Sequence, residues 1–296
     1  MTTSRHAVPR VAAALLVSTL GACGSDDGPD EADTGADAAA DTGGDAQHDA
    51  SPGDDAMPSG DATPGDEGSE ILFPDVDWCD GTTVFRYDPL VAEELLAFPD
   101  DIYSVVDAST PTGRRLDGSE THTPWTKELP ALLRSIALDM GTLSGFASNG
   151  GLVIRFTAPV AEALPAGEAE SMASAGLVLA DLSTEPPTRI PYEARSSDGG
   201  LDVILWPLQP LRRGGRHALV VTTALQADDG GCIAPSEATR AMLAGGAPAR
   251  LAEAGVWARD ALDALELELA DISGIVTFTV HDDVAPVVAA AAAVTD

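Results

Sequence analysis

The sequence predicts a mainly β fold of the sandwich type with added helices, and short apolar runs are the main observation behind this prediction. From about residue 71 onward, seven runs of strand length alternate in polarity or are continuously apolar, and Gly and Pro bound them. Seven short strands with frequent turns are typical of a two-sheet sandwich. The predicted strands are Thr82 to Tyr87, Leu152 to Thr157, Gly176 to Asp181, Thr188 to Ala194, Leu201 to Trp206, His217 to Thr223 and Ile275 to Val280.

Turn and helix signals complete the predicted order of elements. The segment Arg195 to Gly200 ends in Asp-Gly-Gly between two predicted strands, which indicates a hairpin whose glycines supply positive φ. Helical periodicity, with Pro near the start of several segments, predicts helices. They are Pro89 to Ala97, Leu129 to Met140, Ser236 to Leu243, Ala249 to Leu269 and the alanine-rich Val284 to Val294, whose apolar run is too short to span a bilayer.

The first 22 residues have the three parts of a secretion signal: Arg5 and Arg10, an apolar stretch from Val11 to Leu20, and small residues before a cleavage point. The ending Leu20-Gly21-Ala22-Cys23 resembles the lipobox of bacterial lipoproteins. That resemblance implies that Cys23 is lipidated, becomes the new N-terminus and anchors the chain, since two or more acyl chains hold stably. The Gly that follows implies outer-membrane sorting in a Gram-negative cell. The alternative is an ordinary secretion signal with a chance cysteine.

Residues 23–70 predict a disordered acidic tether behind that cysteine. Residues 24–70 contain 15 acidic residues and no Lys or Arg, among Ala, Gly, Thr, Ser and Pro. Such a chain cannot bury enough apolar surface to offset its ordering entropy, and it would span on the order of 40 Å. The net charge of the whole chain is −32, so nucleic acid and anionic headgroups would be repelled.

The chain has three cysteines. With Cys23 assigned to lipid by the resemblance, Cys79 and Cys232 remain, and an exported protein would pair them as a disulfide. A metal site is the competing interpretation, but neither cysteine lies in a Cys-x-x-Cys motif or beside a His. We predict no cofactor and no metal.

Several motifs between residues 73 and 283 occur in an order that is similar to a known domain. They are Phe98 to Asp101, Leu138 to Phe146, Leu152 to Val160, Leu205 to Leu211, Gly215 to Val221, Leu251 to Gly255, Asp271-Ile272 and Val276 to Val280. Together they resemble the N-terminal domain of bacterial extracellular lipases of the virulence-factor type, whose paired strands also recur in bacterial Ig-like domains. The resemblance implies an Ig-like β-sandwich, with helices near both ends, over residues 71–296. It implies a surface setting and no catalytic residue.

In that family the hydrolase chemistry belongs to a following α/β domain with a Gly-x-Ser-x-Gly elbow, and this sequence reaches Asp296 before any such motif. Ser144, in Gly-Thr-Leu-Ser-Gly, is one place off, and Ser174 lacks the first glycine. A triad would need a histidine. We interpret His217 as packing or strand-edge hydrogen bonding, His281 as part of a helix-capping segment with Asp282 and Asp283, and His122 as exposed.

The sequence leaves two hypotheses of function. The first is a non-catalytic interaction or adhesion module on a stalk, at the outer membrane or cell surface, with a protein or glycan partner. The second is the front part of a lipase-like or esterase-like α/β hydrolase whose catalytic domain is absent here or supplied by another chain. Trp78 and Trp125 are the tryptophans expected at the surface, whereas Trp206 and Trp257 are expected in the core.

Overall fold

The computed structural model describes residues 76–160, 163–246 and 248–284, and within them it contains two four-stranded sheets and two two-stranded sheets. The predicted signal peptide, Cys23, the predicted tether and the helix expected at Val284 to Val294 lie outside the described residues, apart from Val284 itself. The predicted fold class, a β-sandwich with added helices, is confirmed.

The strands are numbered in chain order. They are β1 (Thr83–Phe85), β2 (Ala97–Phe98), β3 (Ser104–Val106), β4 (Arg114–Leu116), β5 (Leu152–Arg155), β6 (Leu177–Asp181), β7 (Thr188–Arg189), β8 (Tyr192–Ser197), β9 (Asp202–Pro207), β10 (Arg216–Thr222), β11 (Ile233–Pro235) and β12 (Ile272–Thr279). One large sheet has the order β12-β10-β6-β7 and the other β2-β5-β9-β8. All neighbours in both sheets are antiparallel.

The two large sheets share one hydrophobic core. Leu152 and Leu205 of one sheet belong to the same buried cluster as Leu179 and Leu219 of the other. Every residue of β5, β6 and β12 is buried, and so is all of β10 after its first residue. These strands are covered on both faces, which explains why their sequences are continuous apolar runs instead of alternating ones.

The helices are α1 (Ala131–Asp139), α2 (Glu168–Ala173), α3 (Glu237–Ala244) and α4 (Ala249–Ala264). Ser236 caps α3, since its Oγ accepts a hydrogen bond from the N–H of Thr239 at 3.1 Å. The predicted extension of α4 to Leu269 is wrong. Glu266 adopts φ of 56°, and the N–H of Leu267 donates back to the carbonyl of Leu262, which ends the helix.

The helix predicted at Pro89 to Ala97 is also wrong, because tertiary contacts override its local periodicity. Ala97 and Phe98 pair with β5 as strand β2, and Leu95 and Leu96 are buried. Glu94 points instead at Arg155, with Oε2 2.8 Å from Nη1.

One predicted strand divides between the two sheets. In Thr188 to Ala194, the first two residues pair with β6 and the segment from Tyr192 pairs with β9. Pro191 lies at the break, where its missing N–H costs no ladder hydrogen bond. The predicted hairpin turn is confirmed: Asp198–Gly200 joins β8 to β9, and Gly199 and Gly200 have φ of 69° and 94°.

Strands β1 and β11 form a small parallel sheet, and a disulfide closes it. Cys79 and Cys232 are bonded, with Cα atoms 6.4 Å apart across 153 residues of sequence. The predicted pairing is therefore present in the structure. It fastens the first described strand to a segment that directly precedes the C-terminal helices.

Candidate functional site

The structure brings together three residues of hydrolase type, Ser144, His281 and Asp283. Asp283 Oδ2 accepts a hydrogen bond from the N–H of Ser144 at 3.1 Å and lies 3.4 Å from Nδ1 of His281. The segments meet because Phe146 forms a parallel bridge with Val280. Gly145 permits this approach, since a Cβ there would lie 2.5 Å from the carbonyl oxygen of Thr279.

This cluster does not have the geometry of a catalytic triad. Ser144 is fully buried, and its Oγ accepts a hydrogen bond from the N–H of Asp282 at 3.2 Å. Within the described residues, no hydrogen bond joins Ser144 Oγ to the ring of His281, so no base is in position to activate it. The cluster instead fastens the loop at Ser144 to the segment after β12.

His217 is part of the sandwich core. Strand β10 lies between β6 and β12, so the predicted strand-edge position is wrong and the predicted packing role is confirmed. The ring is fully buried and stacks on Phe278 with centroids 5.4 Å apart. Burial lowers the pKa of His217, and neither ring nitrogen has a hydrogen-bond partner among the described residues.

A cleft of about 160 Å³ lies between the β3–β4 hairpin, α4 and β12. Its polar lining comprises Asp101, Ser104, Arg114, His122, Arg250, Glu253 and Thr277. Its apolar lining comprises Ile102, Val105, Val106, Ala254 and Trp257. On α4, Arg250, Ala254 and Trp257 are spaced i, i+4 and i+7, which places all three on the helix face that borders the cleft.

Two arginines supply most of the cleft's hydrogen-bond donors. Arg114, buried on β4, donates from Nε to Ser104 Oγ at 2.7 Å and lies 3.5 Å from the carboxylate of Glu253 through Nη1. Arg250 donates from Nη2 to the carbonyls of Ile102 and His122. Among the described residues, Nε and Nη1 of Arg250 have no hydrogen-bond partner, and no carboxylate lies within 4.0 Å of its guanidinium.

Trp257 forms one wall of the cleft, between cationic side chains. The guanidinium carbon of Arg216 lies 3.3 Å from the indole centroid and that of Arg114 lies 4.8 Å away. Both are within the range of cation–π attraction. These contacts fix the indole and help to hold two guanidinium groups near one another.

Two adjacent carboxyl groups support the floor of the cleft. Asp100 accepts from the Tyr87 hydroxyl at 2.7 Å and from the N–H of Ile102 at 2.9 Å. Asp101 accepts from the N–H and Oγ1 of Thr279 at 3.0 and 2.7 Å. Burial raises the pKa of Asp100 to about 7, against the lowering effect of its two hydrogen bonds, and burial also raises the pKa of Asp101.

His122 lines the cleft instead of being exposed, which corrects the prediction from sequence. Its Nε2 lies 3.1 Å from the carbonyl oxygen of Ser104, so this nitrogen carries the hydrogen. Burial, followed by the neighbouring Arg250 guanidinium, lowers the pKa of His122. The lowered pKa favours the neutral form of the ring.

The tryptophan predictions are largely wrong. Trp206 is 40% exposed on β9, although it was expected in the core. Trp78 and Trp125 are partly buried and pack against the core, although they were expected at the surface. Trp257 lies in the cleft wall.

Within residues 76–160, 163–246 and 248–284, no cluster of three or more His, Cys, Asp or Glu side chains is placed to hold a metal, and no helix is long and apolar enough to cross a membrane.

Sequence reasoning missed the cleft because its residues come from four separated segments. Neither Arg114 nor Arg250 lies in a motif, and the only local signal was the helical spacing of Arg250, Ala254 and Trp257.

Comparisons with known proteins add little to this description of the cleft. No protein-family model matches the chain, and no curated protein matches it. The solved structures that are similar include the S-layer protein rSbsC(31-844), at 17% identity, a TM-score of 0.23 and coverage of 38% of this chain and 17% of that one. The N-terminal part of the bacterial S-layer protein SbsC gives 18% identity, a TM-score of 0.23 and coverage of 38% and 29%. This chain thus spans less than a third of either neighbour.

Proposed function

We propose that this protein is a lipid-anchored, non-catalytic interaction module of the outer membrane or cell surface of a Gram-negative bacterium. The observation that carries the proposal is the sequence Leu20-Gly21-Ala22-Cys23, which ends an apolar segment and begins an acidic tract. Lipid on Cys23 would anchor the chain, and residues 24–70 would hold the β-sandwich away from the membrane. Its partner would be a surface protein or glycan.

The disulfide supports export. Structural disulfides persist in oxidising compartments, and Cys79 is bonded to Cys232. The third cysteine, Cys23, is then the one left for lipid. The hydrogen bonds of Ser144 support the non-catalytic part of the proposal, since its buried Oγ is bonded to the backbone and not to a histidine.

Fractionation of cells that express the full chain tests the anchor. The wild type should be found with the outer membrane, and Cys23→Ser should be released in soluble form. Ser25→Ala is the matched control and should stay with the membrane. Retention of Cys23→Ser in the membrane fraction would contradict the anchor.

Protease treatment of intact cells tests which way the module faces. Residues 24–70 contain acidic residues but no Lys or Arg, so an endopeptidase specific for acidic residues can cut there and trypsin cannot. A surface-displayed module should be released by the first enzyme from intact cells. Release only after the outer membrane is permeabilised would place the module in the periplasm and contradict surface display.

The hydrolase hypothesis is tested separately, with a chromogenic short-chain ester and the purified full chain. We expect no turnover above that of the Ser144→Ala variant. Turnover by the wild type that is lost in Ser144→Ala would overturn the non-catalytic proposal.

A further inference from the structure

We propose that the cleft between the β3–β4 hairpin and α4 binds a carboxylate carried on a small apolar group. The inference deepens the proposed function, since it names the ligand class that the interaction module recognises. Its test is made in solution, so it can fail or succeed independently of membrane anchoring.

Two arginines of the cleft lining can attract an anion. The chain has 48 acidic and 16 basic residues, yet Arg114 and Arg250 both line the cleft and Arg216 stacks on Trp257 of its wall. Arg250 has no carboxylate partner within 4.0 Å among the described residues. Its Nε–H and Nη1 do not share an edge of the guanidinium, so each can donate a single charge-assisted hydrogen bond to a carboxylate oxygen.

The arrangement at Arg114 shows how a carboxylate fits here. Glu253 Oε1 lies 3.5 Å from Arg114 Nη1, and the Glu253 side chain is 53% exposed at the rim. An exposed ion pair is worth little in water, so a ligand carboxylate can displace it. The buried carboxylate of Asp101 lies 3.9 Å from Arg114 Nε and is already held by Thr279, so it partly offsets the positive charge without filling the cleft.

The rest of the lining distinguishes an organic carboxylate from an inorganic anion. Ile102, Val105, Val106, Ala254 and Trp257 present apolar surface beside the guanidinium groups. A bare phosphate would leave this surface uncontacted, whereas a small apolar group would bury it. The volume of about 160 Å³ is well below that of a pocket for a drug-sized ligand, so the ligand is a small acid or the end of a longer molecule.

The test is a titration of the purified full chain, observed through the indole N–H signals of its four tryptophans. Benzoate should shift the signal of Trp257, assigned with Trp257→Phe, and leave that of Trp206 on β9 unchanged. Benzamide, which has the same shape without the charge, and inorganic phosphate, which has charge without an apolar group, should bind at least about tenfold more weakly.

Two cleft variants should move the affinity in opposite directions. Arg250→Met should weaken benzoate binding by at least about tenfold, because it removes a positive charge together with its free hydrogen-bond donors. Glu253→Gln should tighten binding, because it frees Arg114 from a competing carboxylate. Arg213→Met, at an exposed site that is not part of the cleft lining, is the matched control and should bind as the wild type does. A purely structural role for these residues would not produce tighter binding in Glu253→Gln.

A second titration distinguishes a free small acid from the carboxylate at the end of a polypeptide. Acetyl-alanyl-alanine with a free C-terminus carries the same group as the end of a polypeptide, and its C-terminal amide is the control. If the peptide acid shifts Trp257 more strongly than benzoate does, the carboxylate is a polypeptide end; the reverse favours a free small acid. Absence of a Trp257 shift with both acids, or equal shifts with benzoate and phosphate, would overturn the proposal.

Discussion

Gly274 lies where strand β12 passes directly over the ring of Phe85. A Cβ at this position would come within 2.4 Å of Phe85 Cδ1, and the ring is fully buried, so it has no space to move into. Gly is a poor strand former, but a residue with a side chain would not leave room for this contact. Phe85 belongs to β1, so the contact packs the small disulfide-closed sheet against the centre of the sandwich.

Replacing Gly274 by Ala should lower the free energy of unfolding by about 1 to 3 kcal/mol, because the added methyl group overpacks the contact with Phe85. Denaturant unfolding of the two proteins measures the difference. Gly167→Ala is the matched control, since nothing lies within 4 Å of a Cβ there. Equal unfolding midpoints for Gly274→Ala and the wild type would contradict the contact.

Asp100 should make stability depend on pH. Its pKa is about 7 in the folded protein, against about 3.9 when unfolded, so the folded state holds the extra proton between these values. The contribution of the Asp100 carboxyl group to the stability of the folded protein is therefore complete below about pH 4. It declines as the pH rises and is lost above about pH 7. Asn at this position cannot ionise.

Relative to the wild type, Asp100→Asn should become progressively more stable as the pH rises from 4.5 to 8, by at most about 1.4 kcal/mol per pH unit. Chemical denaturation at several pH values measures the trend. Asp139→Asn, at the exposed end of α1, is the matched control for the change of Asp to Asn. A difference that does not change with pH for Asp100→Asn would contradict the raised pKa.

At the scale of single residues, the sequence predicted the element to which a residue belongs better than it predicted the contacts of its side chain. The apolar runs correctly placed His217 in a strand, but they did not reveal that both of its ring nitrogens would be buried without partners. The sequence placed Arg250 in a predicted helix and gave no sign of its contacts. Its environment depends on Ile102 and His122, which are more than 120 residues away in sequence, so no local pattern could have predicted it.

At the scale of elements, the sheet formed by β1 and β11 depends on the bond between Cys79 and Cys232. The two strands have only three paired residues each, which is too few to hold a sheet on their own. The disulfide closes a loop across 153 residues, so it removes much of the chain entropy that would otherwise favour separation.

The double variant Cys79→Ala with Cys232→Ala should lose about 3 to 5 kcal/mol of unfolding free energy. The measurement is denaturant unfolding of the oxidised wild type, the reduced wild type and the variant. We expect the reduced wild type and the variant to unfold together, well before the oxidised protein. Two reactive thiols at Cys79 and Cys232 in the oxidised wild type would contradict the bond.

The six strands of four or more residues, β5, β6, β8, β9, β10 and β12, all fall on predicted segments, because each is an apolar run buried on at least one face. The sequence missed β2, β3, β4 and β11, which have two or three residues each, since such short segments have no detectable period. It also joined β7 to β8, because the exchange between sheets at Pro191 is decided by tertiary pairing. The β3–β4 hairpin that borders the cleft was among the strands that were missed.

At the scale of the whole molecule, a disulfide-bonded β-sandwich carries a small cleft, and we propose that an acidic tether and a lipid hold this sandwich at a membrane. The sandwich was predicted well because its core is encoded in local apolar runs. The cleft was not, because it is assembled from four segments. The anchor rests on Cys23 and its neighbours alone.

The mass of one tryptic peptide tests this central claim most directly. After Arg10 the next basic residue is Arg86, so trypsin leaves everything between them in one piece. In the mature protein, without reduction, we expect residues 23–86 with a diacylglyceryl group and an N-acyl group on Cys23, joined through Cys79 to residues 217–240. A peptide that begins at Val11, or one that contains Cys23 without lipid, would contradict the account.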